Sequence, residues 1–492
     1  MQDALAVRYG TPRGRWVLLA TVLGSGIAAL HATVVNIALP AIGRDFHSGL
    51  TSLQWTVNAY TLTLAGFLLL GGDLGDRYGR RRMFVIGVVW FAVASLLCAV
   101  APSATALVAA RALQGVGAAL LTPGSLAIIE ASFAREDRAA AIGAWSGLGG
   151  VAVAIGPFLG GYLVQAVSWR LIFVINLPLA LAVIVIAVRH VPESKDSAMP
   201  PGLDLPGVAL AALGLAGATY ALTEAGQRGW GSPSVIIPGL AGLACLAAFI
   251  PIERSSRNPL LPLDIFRSRQ FSAANAVTFI VYGALGGALF LLPIQLQRVV
   301  GFSALKAGTA LVPITVVMLT LSARAGRLAQ RIGPRLPMGL GPIVAGVGLA
   351  LLTRVDAGST YVGDVLPAVV VFALGLALTV APLTATVLAA ASEEHAGIAS
   401  AVNNDVARAA GLVAVAVLPL AAGITSGTYA HPAEFSDGFR MAMLLAAALC
   451  AAGGALAFFT IRNPEEKAAS LCALHCSLDA PPLGEATGAA AS

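Results

Sequence analysis

Long uninterrupted apolar blocks joined by short loops constrain this chain more than any other feature. Trp16–Leu39, Met83–Val100 and Leu205–Leu222 are continuous blocks without an amphipathic stripe. Each runs close to the ~20 residues that cross a hydrocarbon core. Only 11% of the 492 residues are charged, whereas a soluble domain carries about a quarter. The polar surface that a water-soluble protein of this length needs is missing, so lipid is the solvent for most of the chain.

Fourteen such blocks are expected, from about 16–40 to about 438–461, each boundary being good to ~2–4 residues. An even number of crossings puts both termini on one side, and the bias of basic residues says which. Loops on the terminal side hold Arg77, Arg80, Arg81, Arg82, Arg135, Arg138, Arg254, Arg324, Arg327, Arg331 and Arg335 among others, about three times as many as the opposite loops. The termini are therefore expected in the cytoplasm, and only the inner loop at Glu393-Glu394-His395 lacks basic residues. The same distribution argues against nucleic acid as the reason for the net charge of +6. The first block is too long for a cleavable signal peptide and reads as a retained anchor. Five cysteines show no disulfide framework, and the tail run Cys472-Ala-Leu-His475-Cys476 is weak as a metal site. No metal and no cofactor is expected.

One segment recurs. Gly72-Asp-Leu-Gly75-Asp76-Arg77-Tyr-Gly79-Arg80-Arg81 follows the second block, and Gly326-Arg-Leu-Ala329-Gln330-Arg331-Ile-Gly333-Pro334-Arg335 follows the tenth. Parallel repeats of this kind build many secondary carriers, with the substrate between the halves. The expected organisation is a six-helix bundle over 1–190, a linker with two additional spans over 191–269, and a second bundle over 270–461. A cytoplasmic tail, expected to be disordered, would fill 462–492. Glycines should permit the tight turn after the second span, and Asp76 should accept backbone N–H groups at a helix N-terminus. A plain positive-inside anchor would explain the arginines but not the paired Asp and Gly.

With these residues in view, the chain resembles the major facilitator superfamily, and within it the fourteen-span drug:proton antiporter branch. The resemblance covers about 15–461. Gly72–Arg82 matches the family's cytoplasmic loop, and Arg111-Ala-Leu-Gln114-Gly115-Val-Gly117 matches its fourth span. Gly143 with Gly156-Pro157-Phe-Leu-Gly160-Gly161 matches the fifth span of exporters, with Ala152 in place of one glycine. Trp169-Arg170-Leu-Ile-Phe173-Val-Ile-Asn176-Leu-Pro178 matches the start of the sixth. The resemblance implies an all-α membrane fold of two six-helix bundles plus two central helices. It also implies that Asp76 and its neighbours Arg77, Gly79 and Arg80 help lock the inner gate, and that the Gly156-Pro157 arrangement accompanies export. Ordinary close helix packing would account for the same glycines.

Ionisable residues inside spans are costly in lipid and are functional candidates by default. The resemblance places Arg111 near the first span, where the family usually has an acid followed by x-Thr-x-x-Asn-x-Ala-Leu-Pro. Here the run is His31-Ala-Thr33-Val-Val-Asn36-Ile-Ala-Leu39-Pro40, so His31 stands in place of the acid. Histidine titrates near neutrality and can still carry a proton. The alternative is a neutral histidine in a helix contact. Asp405, three residues before Arg408, is the second candidate, and the two could equally neutralise each other on one helix face. Glu130 and Glu224 are read as interfacial. Trp55, Tyr60, Trp145, Phe279, Tyr282 and Phe290 are read as either cavity lining or packing.

The expected function is export of a small amphipathic molecule in exchange for protons, by a monomeric carrier in a bacterial cell membrane. Arg111, Arg408 and His31 set against few acids count against a strictly cationic substrate. An uptake symporter and a non-transporting sensor or scaffold of the same fold remain open on the residues alone. A membrane enzyme does not fit, because the loops hold no catalytic constellation and are too short to build one.

Overall fold

The computed structural model describes residues 7–196, 202–256, 258–391 and 396–463. Fourteen helices among them are long and apolar enough to cross a membrane. In chain order they are α1 (Pro12–Asp45), α2 (Leu50–Tyr78), α3 (Arg80–Ala99), α4 (Ala104–Ser132), α5 (Ala140–Ala166), α6 (Leu171–His190) and α7 (Leu205–Arg228). They continue with α8 (Pro233–Ser255), α9 (Arg269–Arg298), α10 (Ala304–Ile332), α11 (Arg335–Arg354), α12 (Tyr361–Ala389), α13 (Gly397–Ala421) and α14 (Pro432–Thr460). Each expected span is present. Several run past their apolar blocks, because nothing in the polar flanks breaks a helix once backbone hydrogen bonds propagate. The cluster Glu393–His395 and the tail cysteines Cys472 and Cys476 lie outside the described residues.

Side chains facing lipid are apolar and exposed. Ile237, Leu240 and Leu243 on α8 are each more than 60% exposed, as expected of a helix on the lipid-facing periphery.

Helix pairings in the first half recur in the second. α2 packs on α4, α3 on α4, α1 on α5, α1 on α6 and α3 on α6. The corresponding pairs are α10 on α12, α11 on α12, α9 on α13, α9 on α14 and α11 on α14. Between the halves, α5 meets α10, α2 meets α13, and α1 meets α9. The hairpin α7–α8 packs through α7 on α2 of one half and on α13 of the other.

The halves are joined at one end only. One hydrophobic core runs through both, from Leu30, Ile37, Leu107 and Phe173 to Phe290, Leu349, Phe372 and Phe435, at the end away from the arginine-rich loops. Gln54 Nε2 donates to the Val415 carbonyl at 2.7 Å and Gln297 Nε2 to the Ile37 carbonyl at 2.9 Å. Toward the arginine-rich end the cores separate. Val17, Phe84 and Val183 belong to one, Phe271, Met338 and Val402 to the other. A Cβ on Gly143, Gly147 or Gly397 would meet nothing within 4 Å there. The cleft between the halves therefore opens toward the arginine-rich end and is sealed at the other.

Candidate functional site

A polar chain crosses the interior of the first half. His31 on α1 is wholly buried, with the rings of Phe173, Phe91 and Tyr60 at 5.0, 5.8 and 6.1 Å. Its Nδ1 lies 3.3 Å from the amide nitrogen of Asn176 on α6. With that amide donating, the proton of the neutral ring sits on Nε2, which is buried without a partner. Asn176 Nδ2 also donates to Ser95 Oγ on α3 at 3.2 Å, and Gln114 Nε2 on α4 donates to the same oxygen at 2.7 Å. Gln114 Oε1 in turn accepts from Arg111 Nη1 at 2.6 Å. The chain thus links α1, α6, α3 and α4.

Arg111 is 1% exposed and has no carboxylate partner among the described residues. Its Nε donates to the Thr56 carbonyl of α2 at 2.9 Å, and its guanidinium lies 4.3 Å from the centre of the Tyr60 ring. A carbonyl, an amide oxygen and an aromatic face thus compensate this buried charge. Tyr60 OH donates to the Ala28 carbonyl at 3.4 Å.

Asp405 and Arg408 share a helix but form no ion pair; Asp405 Oδ1 and Arg408 Nε are both buried without partners. Asn36 Oδ1 on α1 and both polar atoms of Asn58 on α2 are in the same condition. Buried groups in this state need water or a ligand to complete them.

The loop Gly72–Arg82 is mostly helix, which corrects the expected turn: Gly72 and Gly75 lie inside α2, and only Gly79, at φ +111°, breaks it. Asp76 is corrected as well. It sits in the last turn of α2 and holds Arg80 Nε at 2.7 Å, as Asp73 holds Arg77 Nε at 2.8 Å. The carboxylate at the N-terminus of α3 belongs to Glu193, beyond α6. Its Oε1 accepts from Arg81 N at 3.0 Å, and its Oε2 lies 3.6 Å from Arg81 Nε. Arg80 N donates to the Ser194 carbonyl at 2.9 Å and Asp196 N to the Asp76 carbonyl at 2.8 Å. The stretch from Val191 to Asp196, expected as plain linker, is packed onto this loop.

The motif glycines serve two kinds of contact. Gly115 admits Thr63 and the Tyr60 carbonyl of α2, while Gly156 and Gly160 admit Thr33 and Val34 of α1, all within one half. Gly161 faces across the seam, where a Cβ would lie 2.6 Å from the Ala304 carbonyl of α10. Gly308 of α10 approaches the Pro157 carbonyl so closely that any side chain would collide with it.

Glu224 is not merely interfacial. It is nearly buried between α7 and α2, accepting from Trp55 Nε1 at 2.9 Å and from Arg228 Nε at 2.8 Å. Glu130 is exposed at the end of α4. Of the aromatic candidates, Phe290 and Tyr60 are core, Trp145 Nε1 donates to Ser25 Oγ at 2.9 Å, and Phe279 is exposed. Tyr282 is half-buried against the second half's inner core. Sequence reasoning missed Glu193, Ser95 and the partnership of Asn176 with His31. Only the position of Asn176 within a motif hinted at any of them. No group of three metal-ligating side chains occurs among the described residues.

A family model described as Major Facilitator Superfamily matches residues 21–416. The puromycin resistance protein pur8 of Streptomyces alboniger is 35% identical over 445 residues, covering 89% of this chain and 88% of that one. The tetracenomycin C resistance and export protein of Streptomyces glaucescens is 34% identical, covering 82% and 76%. The methylenomycin A resistance protein of Bacillus subtilis is 32% identical, covering 88% and 91%. Among solved structures, a bacterial homologue of the human lysosomal transporter Spinster, inward-facing and unoccupied, aligns with a TM-score of 0.65 at 16% identity, over 92% of this chain and 97% of that one. The human organic anion transporter MFSD10 aligns at 0.60 and 18%, over 91% and 100%. At these identities the structures establish a shared fold.

Proposed function

The chain belongs to the major facilitator superfamily as a multi-pass carrier of the cell membrane, and we propose that it exports a small amphipathic molecule in exchange for protons. The observation that carries this reading is the one-sided seam. A carrier of two halves around a central site works by closing one end while the other opens. Here the far end is closed by interlocked glycines and a shared core, and the arginine-rich end is open. With that end in the cytoplasm, as the basic-residue bias favours, this is an inward-open state ready to take substrate from inside. Export is supported by relatives named for antibiotic resistance and export.

His31 is the proposed proton carrier. It is a titratable ring on the span that lines the seam, and a continuous hydrogen-bond chain leads from it to Arg111. Asp405, lacking an ion-pair partner, is the proposed second protonatable group. The polar atoms left without partners on Asn36, Asn58, Asp405 and Arg408 include both donors and acceptors. Arg111, Arg408 and His31, set against few acids, favour an anionic, zwitterionic or neutral substrate over a strictly cationic one.

Proteoliposomes holding the purified protein provide the test, with puromycin, tetracenomycin C and methylenomycin A as probes. An imposed pH gradient should drive uphill movement of at least one probe, and addition of that probe should move protons the other way. Downhill movement unaffected by the gradient would remove proton exchange from the reading. Co-movement of probe and proton in one direction would make the protein a symporter.

A further inference from the structure

The start of α7 and the end of α8 meet at the arginine-rich end, and two carboxylates meet with them. Asp204 caps α7, its Oδ1 accepting from Gly207 N at 2.9 Å. Glu253, in the last turn of α8, accepts through Oε1 from Leu261 N at 2.5 Å. These bonds use one oxygen of each side chain. The other oxygens, Asp204 Oδ2 and Glu253 Oε2, are buried and have no donor. The residues are 6% and 2% exposed, so solvent does not serve them. A Cβ on Gly207 would lie 2.8 Å from Glu253 Oε2 and 3.1 Å from Asp204 Oδ1, so the carboxyl groups converge on one point.

No cation offsets them among the described residues. Arg254 is exposed, Asp264 and Arg267 pair with each other on the surface at 3.5 Å, and on α2 Asp73 is bonded to Arg77 at 2.8 Å. On α13, which packs on α7, the charged groups Asp405 and Arg408 form no ion pair with either carboxylate. Two ionised carboxylates this close, shielded from water, repel strongly. An ionised carboxylate has no proton to donate, so two facing acceptors cannot bond; a single proton turns the same contact into an O–H···O⁻ hydrogen bond.

We propose that Asp204 and Glu253 share one proton, as a carboxyl–carboxylate pair that bolts the start of α7 to the end of α8. The proton comes from solvent, and no other bond forms or breaks. Because α7 packs on both halves, the bolt fixes the open end of an element that both halves touch. The pair is distinct from His31 and Asp405 and does not depend on what the carrier moves.

The test is infrared difference spectroscopy on the full-length purified protein across a pH titration from mildly acidic to alkaline, comparing wild type with Glu253→Gln and with Asp204→Asn. Each difference should contain the same protonated-carboxyl stretch, shifted in D₂O and lost on alkalinisation, because either amide removes the shared proton. The folded pair binds a proton that the separated carboxylates of the unfolded chain release. Stability should therefore fall as pH rises through the band's own titration. Wild-type Tm should drop across that range, and the amide variants, whose N–H···O bond needs no proton, should lack the drop.

No band missing from either variant overturns the proposal. A band missing from only one assigns the proton to one residue and overturns the sharing. A wild-type Tm raised by Na⁺, K⁺ or Mg²⁺ at fixed pH, and unchanged in the variants, makes it a cation site instead. Should one variant fail to fold, the other variant and the wild-type titration of the band still decide.

Discussion

The two copies of the repeated loop share a backbone break but differ in their ion pairs. Each breaks its helix at a glycine of positive φ, Gly79 at +111° and Gly333 at +84°. Each then presents the second backbone N–H or first of the next helix to a side chain from beyond that half's last span. Arg81 N donates to Glu193 in the first half, and Arg335 N to Asn463 Oδ1 at 3.1 Å in the second. The first copy carries the ion pairs Asp73–Arg77, Asp76–Arg80 and Glu193–Arg81. The second has Gln330 and Asn463 in the corresponding places and forms no ion pair among the described residues. Backbone geometry needs only the glycine and an acceptor, so it survives in both. Arginines occur in both, but among the described residues carboxylate partners occur only in the first, which makes the first half the natural seat of the proposed gate.

The same asymmetry holds deeper in the membrane. The first half buries His31 and Arg111 in a continuous network, whereas the second leaves Asp405 and Arg408 without partners. His31→Ala is expected to abolish probe-driven proton flux while leaving probe binding detectable, the largest effect predicted here. Unchanged flux in proteoliposomes would move the proton site elsewhere, with Asp405 next in line. Gly308→Leu comes second. Forcing a side chain against the Pro157 carbonyl costs about 1–3 kcal/mol of overpacking, spent only while the far end is closed. That should shift the open and closed populations roughly 5- to 150-fold toward opening at the far end. Accessibility of a cysteine placed at the seam reads this directly, and an unmoved equilibrium would show that the seam is not what opens.

Asp405→Asn should shift the pH profile of transport, because no ion pair with Arg408 accounts for its charge. A loss of expression with an unshifted profile would reduce it to a packing partner. The loops themselves give the smallest effects. Asp76→Asn should slow transport several-fold, yet lower stability by only about 0.2–1 kcal/mol, since Arg80 and Asp76 are partly exposed. Gln330→Ala should change stability by less than about 0.5 kcal/mol and leave transport intact. Equal transport defects in these two variants would erase the distinction between the copies.

How far the site could be read from residues depended on how local its contacts are. Asp76 and Arg80 are four residues apart, but that spacing does not say that Asp76 holds the Arg80 side chain while the backbone N–H of Arg81 at the start of α3 goes to Glu193. His31 stood out because a titratable ring in an apolar block is rare. Its partners did not, since Ser95 and Asn176 are ordinary residues until α3 and α6 bring them to α1. Glu224 was read as interfacial from its place near a span end; the indole of Trp55, on a helix far away in sequence, makes it a buried contact.

Sequence alone determined the fourteen spans, the bias of arginines to one end, the duplicated loop and the small-residue motifs. Hydropathy over one span length and the local demand of a helix break act within a few residues of chain. Tertiary structure decided which acid caps α3, which groups chain His31 to Arg111, where Asp204 and Glu253 meet, and which end of the cleft is open. Those contacts join residues tens to hundreds of positions apart. Their energies depend on distances that only the packed helices set.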